Sequence, residues 1–581
     1  MKTLLKKYFG YDNFRPMQEE IINNVLQKRD ALVLMPTGGG KSLCYQIPAL
    51  QFEGLTLVIS PLISLMKDQV DNLRANGISA EYINSTLSND NIINIQEKII
   101  QKEIKLLYVA PERLALESFK EFLKKLQISL IAIDEAHCIS EWGHDFRPEY
   151  RNLNFLKKSF PNVPIIALTA TATMKVREDI IKHLSLECSK VFLSSFNREN
   201  LNLIVIEKKK TFNKILEMLK EYRNESVIIY CFSRKDSENI AFGLRKAGFN
   251  ALPYHAGLDP EIRKHNQDLF IKDQVNIIVA TIAFGMGIDK PNVRLIIHHT
   301  FPKTLEGYYQ EIGRAGRDGL SSDCVLFYSR GDKRKHEFFI NKIEDSFVQL
   351  NARTKLAKVM TYCEANSCRR RYVLDYFGET FPEDNCNGCD ICLKLSKSNG
   401  NIPSEKIKIE KTRDLLNYNK NLFEKLRTLR RRIADEKKVP PFIIFGDVSL
   451  REMAFYFPKN DREFLDIKGV GQQKLNDFGS LFLEVIKKHI QENNINRTEI
   501  YYDNKTKDNS KIDIKTDYHR RLEEIKKHFS NAYEPWKEEE DIQLKNLHNE
   551  NKTINEIAQI LSRQPGAIRS RLNKFGLIYS I

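Results

Sequence analysis

No stretch of the chain approaches the roughly 18 consecutive apolar residues that a membrane-spanning helix needs. The amino terminus, MKTLLKKYFGYDNF, carries lysines but no long apolar run, so a secretory signal peptide is not expected. The expectation is an intracellular, cytoplasmic, soluble protein. Cysteine is sparse, ten in 581 residues, and in that compartment thiols are expected reduced or metal-bound rather than in disulfides. Acid is in deficit: 76 Asp and Glu against 91 Lys and Arg leave a net charge of +15. A basic balance suits a polyanionic partner, because phosphate contacts and counterion release dominate such binding. No internal repeat is visible.

Short Val/Ile/Leu-rich runs, by contrast, recur through residue 330. ALVLM (31–35), LTLVIS (55–60), LLYVA (106–110), LIAID (130–134) and IIALTA (165–170) read as buried parallel strands. A second set is SVIIYCF (226–232), VNIIVAT (275–281), RLIIHHT (294–300) and CVLFYS (324–329). Continuous apolar strands alternating with helices indicate parallel sheets covered on both faces. The fold class is therefore α/β, with two lobes, 1–200 and 201–335, and EKKKTF (207–212) as the expected hinge. Residues 336–395 are expected to form a cysteine-bearing helical module and 396–412 a linker. A helical domain (413–491), a polar linker (492–530) and a small all-α tail (531–581) follow.

Four strings carry the chemistry: PTGGGKS (Pro36–Ser42), DEAH (Asp134–His137), TAT (Thr171–Thr173) and QEIGRAGRDG (Gln310–Gly319). The first lies between a strand and a helix, the context of a phosphate-binding loop. Thr37, Gly38, Gly39 and Gly40 let backbone N–H groups approach phosphates; Lys41 reaches the β/γ-phosphates of ATP and Ser42 ligates Mg²⁺. Met35 stands where the strict pattern has glycine. Asp134 and Glu135 close a buried strand, where α/β sheets place ligands. Asp134 suits the Mg²⁺ shell and Glu135 the orientation or deprotonation of the attacking water. His137 suits coupling of nucleotide state to the rest of the chain. Arg314 and Arg317, on the second lobe, can reach a γ-phosphate only when the lobes close, so Arg317 is assigned the arginine finger and Arg314 a supporting role. Together these read as an ATP-driven nucleic-acid motor.

Cys368, Cys386, Cys389 and Cys392 have a spacing that can clamp one tetrahedral Zn²⁺, a structural site because all four positions are filled. Cys363 is out of register, and it is expected, with Cys44, Cys138, Cys188, Cys231 and Cys324, to be a reduced buried thiol. Downstream, Ser449-x-x-Glu452 matches a capping box, and KGVGQQKL (468–475) reads as a glycine turn entering a helix, suited to phosphate. Residues 535–577 read as three helices: Thr553-x-x-Glu556 caps the second and Ile554, Ile557, Ala558 and Leu561 line its inner face. Arg569, Arg571 and Lys574 lie on the third.

At this point the chain closely resembles the RecQ family of superfamily 2 DNA helicases, over residues 1–395 and less uniformly to 491. The resemblance implies two RecA-like lobes, a zinc-binding module and small all-α domains. FGYDNFRPMQ (9–18) resembles the adenine-recognition segment, which implies that Gln18 bonds the adenine edge while Tyr11 and Arg15 stack around the base. ISEWGHDFRPEY (139–150) resembles an aromatic-rich loop, implying that Trp142, His144, Phe146 and Arg147 bind DNA; stacking on bases is worth ~1–3 kcal/mol each. ISPLISLMKDQV (59–70), LYVAPERL (107–114), YCFSRKDSE (230–238), YHAGL (254–258) and ATIAFGMGIDKP (280–291) resemble the remaining motor motifs. Residues 413–491 resemble an HRDC domain, and the tail resembles a Myb-like or helix-turn-helix module. The linker at 396–412 is too short for the winged helix that many relatives carry. The implied activity is ATP-dependent, 3′ to 5′ DNA unwinding in recombination and repair, on single-stranded and forked duplex DNA at the nucleoid, with protein partners through the tail. An ATP-gated DNA clamp or translocase with little strand separation, and an RNA helicase, are the other readings.

Overall fold

The computed structural model describes residues 1–61, 63–84, 87–140, 147–285, 290–393, 418–493, 495, 536, 538–550, 552–563, 565–575 and 577, and statements of absence below concern these. They form two units, Met1–Ile495 and Asn496–Ile581. No helix is long and apolar enough to cross a membrane.

In the first unit each apolar run of the first 330 residues becomes a strand, and every pairing is parallel. The first sheet comprises β1 (Ala31–Leu34), β2 (Leu55–Ile59), β3 (Ala80–Ile83), β4 (Leu106–Val109), β5 (Ile128–Ile133), β6 (Ile165–Thr169) and β7 (Lys190–Leu193), in the order β3-β4-β2-β5-β6-β1-β7. The second comprises β8 (Leu201–Glu207), β9 (Ser226–Tyr230), β10 (Ala251–Tyr254), β11 (Ile277–Ala280), β12 (Val293–His298) and β13 (Ser322–Tyr328), in the order β10-β11-β9-β12-β13-β8. Central strands such as β1, β4 and β11 are buried along their whole length, which is why their sequences do not alternate.

The chain crosses between sheets at 194–200. The polar stretch 207–212 lies inside the second lobe instead: Glu207 ends β8 and Thr211 begins the helix Thr211–Glu221. The expected boundary at 335 likewise falls within the helix Lys333–Ile340.

The cysteine-bearing module follows on the helices Ser346–Glu364 and Arg369–Tyr376. It is sewn to the edge of the second sheet: the Leu203 N–H donates to the Gly388 carbonyl at 2.8 Å, and the Asp390 N–H to the Leu203 carbonyl at 3.0 Å. This covers an edge strand that would otherwise expose unpaired backbone.

Helices Lys420–Lys437, Asp447–Tyr456 and Ser480–Glu492 build the next bundle around Leu426, Ile433, Met453 and Phe482. Ser449 and Glu452 do not cap this bundle's second helix, which starts after Gly446. Both lie inside it and hold Lys468: the Ser449 hydroxyl donates to the Lys468 carbonyl at 2.6 Å, and Glu452 accepts from the Lys468 N–H at 2.8 Å.

The second unit contains the helices Glu538–Asn549, Ile554–Ile560 and Pro565–Lys574, around Leu544, Ile557, Leu561, Ile568 and Leu572. The Thr553–Glu556 capping box is formed on both sides. Arg571 is committed to Asp541 and to the Trp536 face, and Arg563 to Glu540, leaving Arg569 exposed on the third helix.

Candidate active site

Three neighbouring strands deliver the chemistry to the carboxyl-terminal end of the first sheet. β1 runs into the loop 35–42, β5 runs into Asp134, and β6, between them, ends in Thr169. The loop turns on glycine: Gly38 and Gly40 have φ of 77° and 84°, the left-handed region that other residues enter at a cost. Lys41 Nζ lies 3.1 Å from the Met35 carbonyl, folded over the loop it stabilises. Arg15 donates to the Gly38 carbonyl, and Gln18 Nε2 donates to the Gly40 carbonyl at 3.0 Å. Gln18 Oε1 accepts from the Arg15 N–H at 2.8 Å, so the 9–18 segment is fastened to the phosphate loop. Tyr11, in the same segment, is exposed.

Asp134 and Glu135 stand side by side. Burial, and then the Glu135 charge, push the Asp134 carboxyl up to about 7, with Lys41 pulling the other way. Two adjacent carboxylates with one cation are a donor set that a divalent ion completes, so the site fits Mg²⁺. Glu135 has φ 47°, strained for a residue with a side chain. Its carboxylate lies 3.3 Å from the His137 ring, which shares a 2.9 Å hydrogen bond with the Thr169 hydroxyl. Thr169 in turn accepts from the Thr171 N–H, so the DEAH and TAT strings are one network.

The second lobe meets this end of the sheet directly. A Cβ on Gly313 would lie 3.1 Å from Thr37 Cβ, and one on Gly38 would lie 3.2 Å from Arg317 Cα. Arg314 is buried beside Tyr230, whose hydroxyl donates to the Phe284 carbonyl at 2.9 Å. Arg198, which no sequence motif marked, spans the cleft: it donates to the Thr37 carbonyl and, at 3.0 and 2.8 Å, to those of Ala315 and Gly316. The only signal at 197–200 is the polar string NREN between two apolar stretches.

Of the aromatic-loop residues, Trp142, His144 and Phe146 lie outside the described residues. Arg147 donates to the Pro61 carbonyl at 3.1 Å, and Tyr150 donates to the Asp134 carbonyl at 3.0 Å, so this segment anchors beneath the carboxylates.

The Sγ atoms of Cys368, Cys386, Cys389 and Cys392 all lie within 4.8 Å of one another. Four thiolates at about 2.3 Å from a tetrahedral Zn²⁺ stand roughly 3.8 Å apart, so the cluster fits that ion with little movement. Arg369 braces it by a double hydrogen bond to Asp390, at 3.0 and 3.1 Å. Arg370 extends to the crossing segment, donating to the carbonyls of Arg198 and Leu201 at 2.6 Å. Cys363 stays outside the cluster, its thiol pushed up by burial. Cys188 is exposed rather than buried; the other four are buried.

Four family profiles match in order: "DEAD/DEAH box helicase" over 15–180, "Helicase conserved C-terminal domain" over 207–319, "RecQ zinc-binding" over 330–393 and "HRDC domain" over 419–486. The "ATP-dependent DNA helicase RecQ" of Haemophilus influenzae is 40% identical, covering 84% of this chain and 96% of its own. That of Bacillus subtilis is 38% identical, covering 84% and 98%. The Haemophilus alignment runs over 593 positions, so about a hundred positions of that relative have no counterpart here. Among solved structures, Mycobacterium smegmatis helicase Lhr bound to ssDNA and AMP-PNP has a TM-score of 0.47 at 20% identity, covering 61% of this chain and 48% of its own.

Proposed function

We propose, for a chain that belongs to the RecQ family of ATP-dependent DNA helicases, that ATP at Pro36–Ser42 draws the two lobes together. The cycle of closure then moves the protein 3′ to 5′ along single-stranded DNA and parts the duplex ahead. Tyr11, Arg15 and Gln18 hold the base. Thr37, Gly38, Gly39, Gly40 and Lys41 hold the phosphates. Ser42 and Asp134 hold Mg²⁺, which offsets phosphate charge when bound. Glu135 orients the attacking water and takes its proton, and its neighbour His137 reports the event to the TAT string. Arg317 stabilises the charge that develops on the γ-phosphate, and Arg314 supports it. Cys368, Cys386, Cys389 and Cys392 hold a structural Zn²⁺.

One observation carries this reading: the phosphate loop of one lobe and the IGRAGR loop of the other touch at Gly38 and Arg317, with Arg198 bonded to both. A nucleotide between them would be enclosed by groups from two bodies, so hydrolysis and lobe movement become one event. Trp142, His144, Phe146 and Arg147, beside the carboxylates in sequence, are the groups through which DNA would act on Glu135. Forked DNA in recombination and repair is the substrate, and the tail is the site for partner proteins.

The test is strand displacement on forked duplexes bearing a 3′ or a 5′ single-stranded tail, with ATPase followed in parallel. Displacement from the 3′ tail alone is expected. DNA-stimulated ATPase without displacement would replace this reading with the translocase or clamp, and stimulation by RNA alone would replace DNA as the substrate.

A further inference from the structure

The helical bundle after the zinc module contacts both lobes. Its first anchor is a buried cluster of three cations and three anions. Asp447 accepts from Arg430 Nη1 at 2.8 Å, and its other oxygen lies 3.5 Å from Arg294 of β12. Arg294 grips Asp318 with both terminal nitrogens, one at 3.0 Å. Arg430 also faces Asp273 at 3.8 Å, and Asp273 pairs with Lys290. Asp447 and Arg294 are each 4% exposed and Arg430 1%, so this is an interior and not a surface contact. Burial alone would raise the Asp447 carboxyl, but Arg430, Arg294 and Arg427 outweigh it and hold it well below the usual range.

The second anchor is on the other lobe. The Gly469 N–H donates to the Gly10 carbonyl at 3.2 Å, and a Cβ on Gly10 would lie 2.4 Å from Val470 N. Within the glycine turn 468–471 the Gly469 N–H is spent on lobe one, the Lys468 N–H on Glu452 and the Val470 N–H on the Ile467 carbonyl, so these three are not free for phosphate. The same helix, Asp447–Tyr456, serves both anchors: Asp447 at its start reaches lobe two, and Ser449 and Glu452 hold Lys468 for lobe one. Each anchor adjoins the nucleotide site. Gly10 precedes Tyr11, and Asp318 follows Arg317.

We infer that the bundle is a strut across the cleft and that Asp447 is a positioning residue for Arg317, acting through Arg294 and Asp318. Asp318 is pinned by Arg294, and Arg294 is held from behind by Asp447, so the backbone that carries the Arg317 guanidinium has a fixed floor when the lobes close. A charge network of this burial transmits a fixed geometry because a missing member leaves a buried charge unpaired.

The inference rests on Arg317 acting across the cleft, and the test separates the two. DNA-stimulated kcat and KM for ATP are measured on the full chain for Asp447→Asn, Arg317→Ala and the double variant. Asp447→Asn is expected to lower kcat about tenfold with KM within about twofold, and to cause no further loss in the Arg317→Ala background. Unchanged kcat, or an equal fold-loss in both backgrounds, overturns the inference and leaves a merely structural bundle. An Arg317→Ala variant with full kcat overturns the reading of Arg317 itself. Should Asp447→Asn unfold the bundle, the same cycle with Arg294→Lys, which keeps the charge but loses the two-pronged grip on Asp318, decides it: a kcat loss seen only where Arg317 is present supports the strut, and its absence or an equal loss in both backgrounds overturns it.

Discussion

A Cβ placed on Gly38 would lie 3.2 Å from the Cα of Arg317, although the two residues belong to different lobes. Gly38 also has φ 77°. Gly38→Ala therefore meets two penalties, a left-handed alanine and a wedge in the interlobe contact. The expected outcome is about a tenfold loss of DNA-stimulated kcat, about 1.4 kcal/mol. Steady-state ATPase checks it.

That contact was only half legible in the sequence. The loops 36–42 and 310–319 announce phosphate chemistry through residue type and order, but nothing in their spacing sets how close they come. Arg198 was invisible because a lone arginine between apolar stretches has no pattern; only the fold brings it to Thr37 and Gly316. The strands tell the same story. Central ones are legible as continuous apolar runs, whereas β3, β7, β8 and β10 are not among those runs, and all four are sheet edges. β7 is exposed at three of four positions, and β10 contains Pro253, tolerated where one face of the ladder is free. The Ser449–Glu452 pattern fits a cap and serves a tertiary contact instead, because burial, not spacing, decides what such a pair bonds.

The zinc cluster supports the crossing segment as well as its own module. Arg370 runs from the helix after Cys368 to the carbonyls of Arg198 and Leu201. Cys389→Ser is expected to reduce bound zinc from about one ion per chain to near zero and to lower both the melting temperature and ATPase. Metal analysis together with thermal melting checks it. Loss of zinc with melting unchanged would remove the structural role.

Lys474 is buried in the bundle, and burial lowers its ammonium to about 8. Its folded value lies below the unfolded one, near 10.5. Between these values the unfolded chain binds more protons, so this group's penalty is full below about pH 8 and fades as pH rises to about 10.5. Lys474→Met is expected to stabilise the bundle at pH 7 by on the order of 3 kcal/mol and to bring no gain near pH 10.5. Melting curves of both chains across that range check the sign.

The aspartate of the DEAH string titrates in the opposite sense. Its carboxyl, raised to about 7 by burial and the Glu135 charge, must lose its proton before it can ligate a cation. Affinity for Mg²⁺–nucleotide is therefore expected to rise with pH up to about 7 and then level off. Fluorescent-nucleotide titrations between pH 6 and 8 check it, and Asp134→Asn should abolish the slope.

The central claim is that the second lobe completes the catalytic site through Arg317. Single-turnover ATP hydrolysis by Arg317→Ala in saturating single-stranded DNA, with nucleotide affinity measured alongside, tests it most directly. The account predicts a rate loss of about a thousandfold with affinity within about threefold of the parent chain. Hydrolysis within about twofold of the parent would contradict it, and would place the whole of the catalysis on the first lobe.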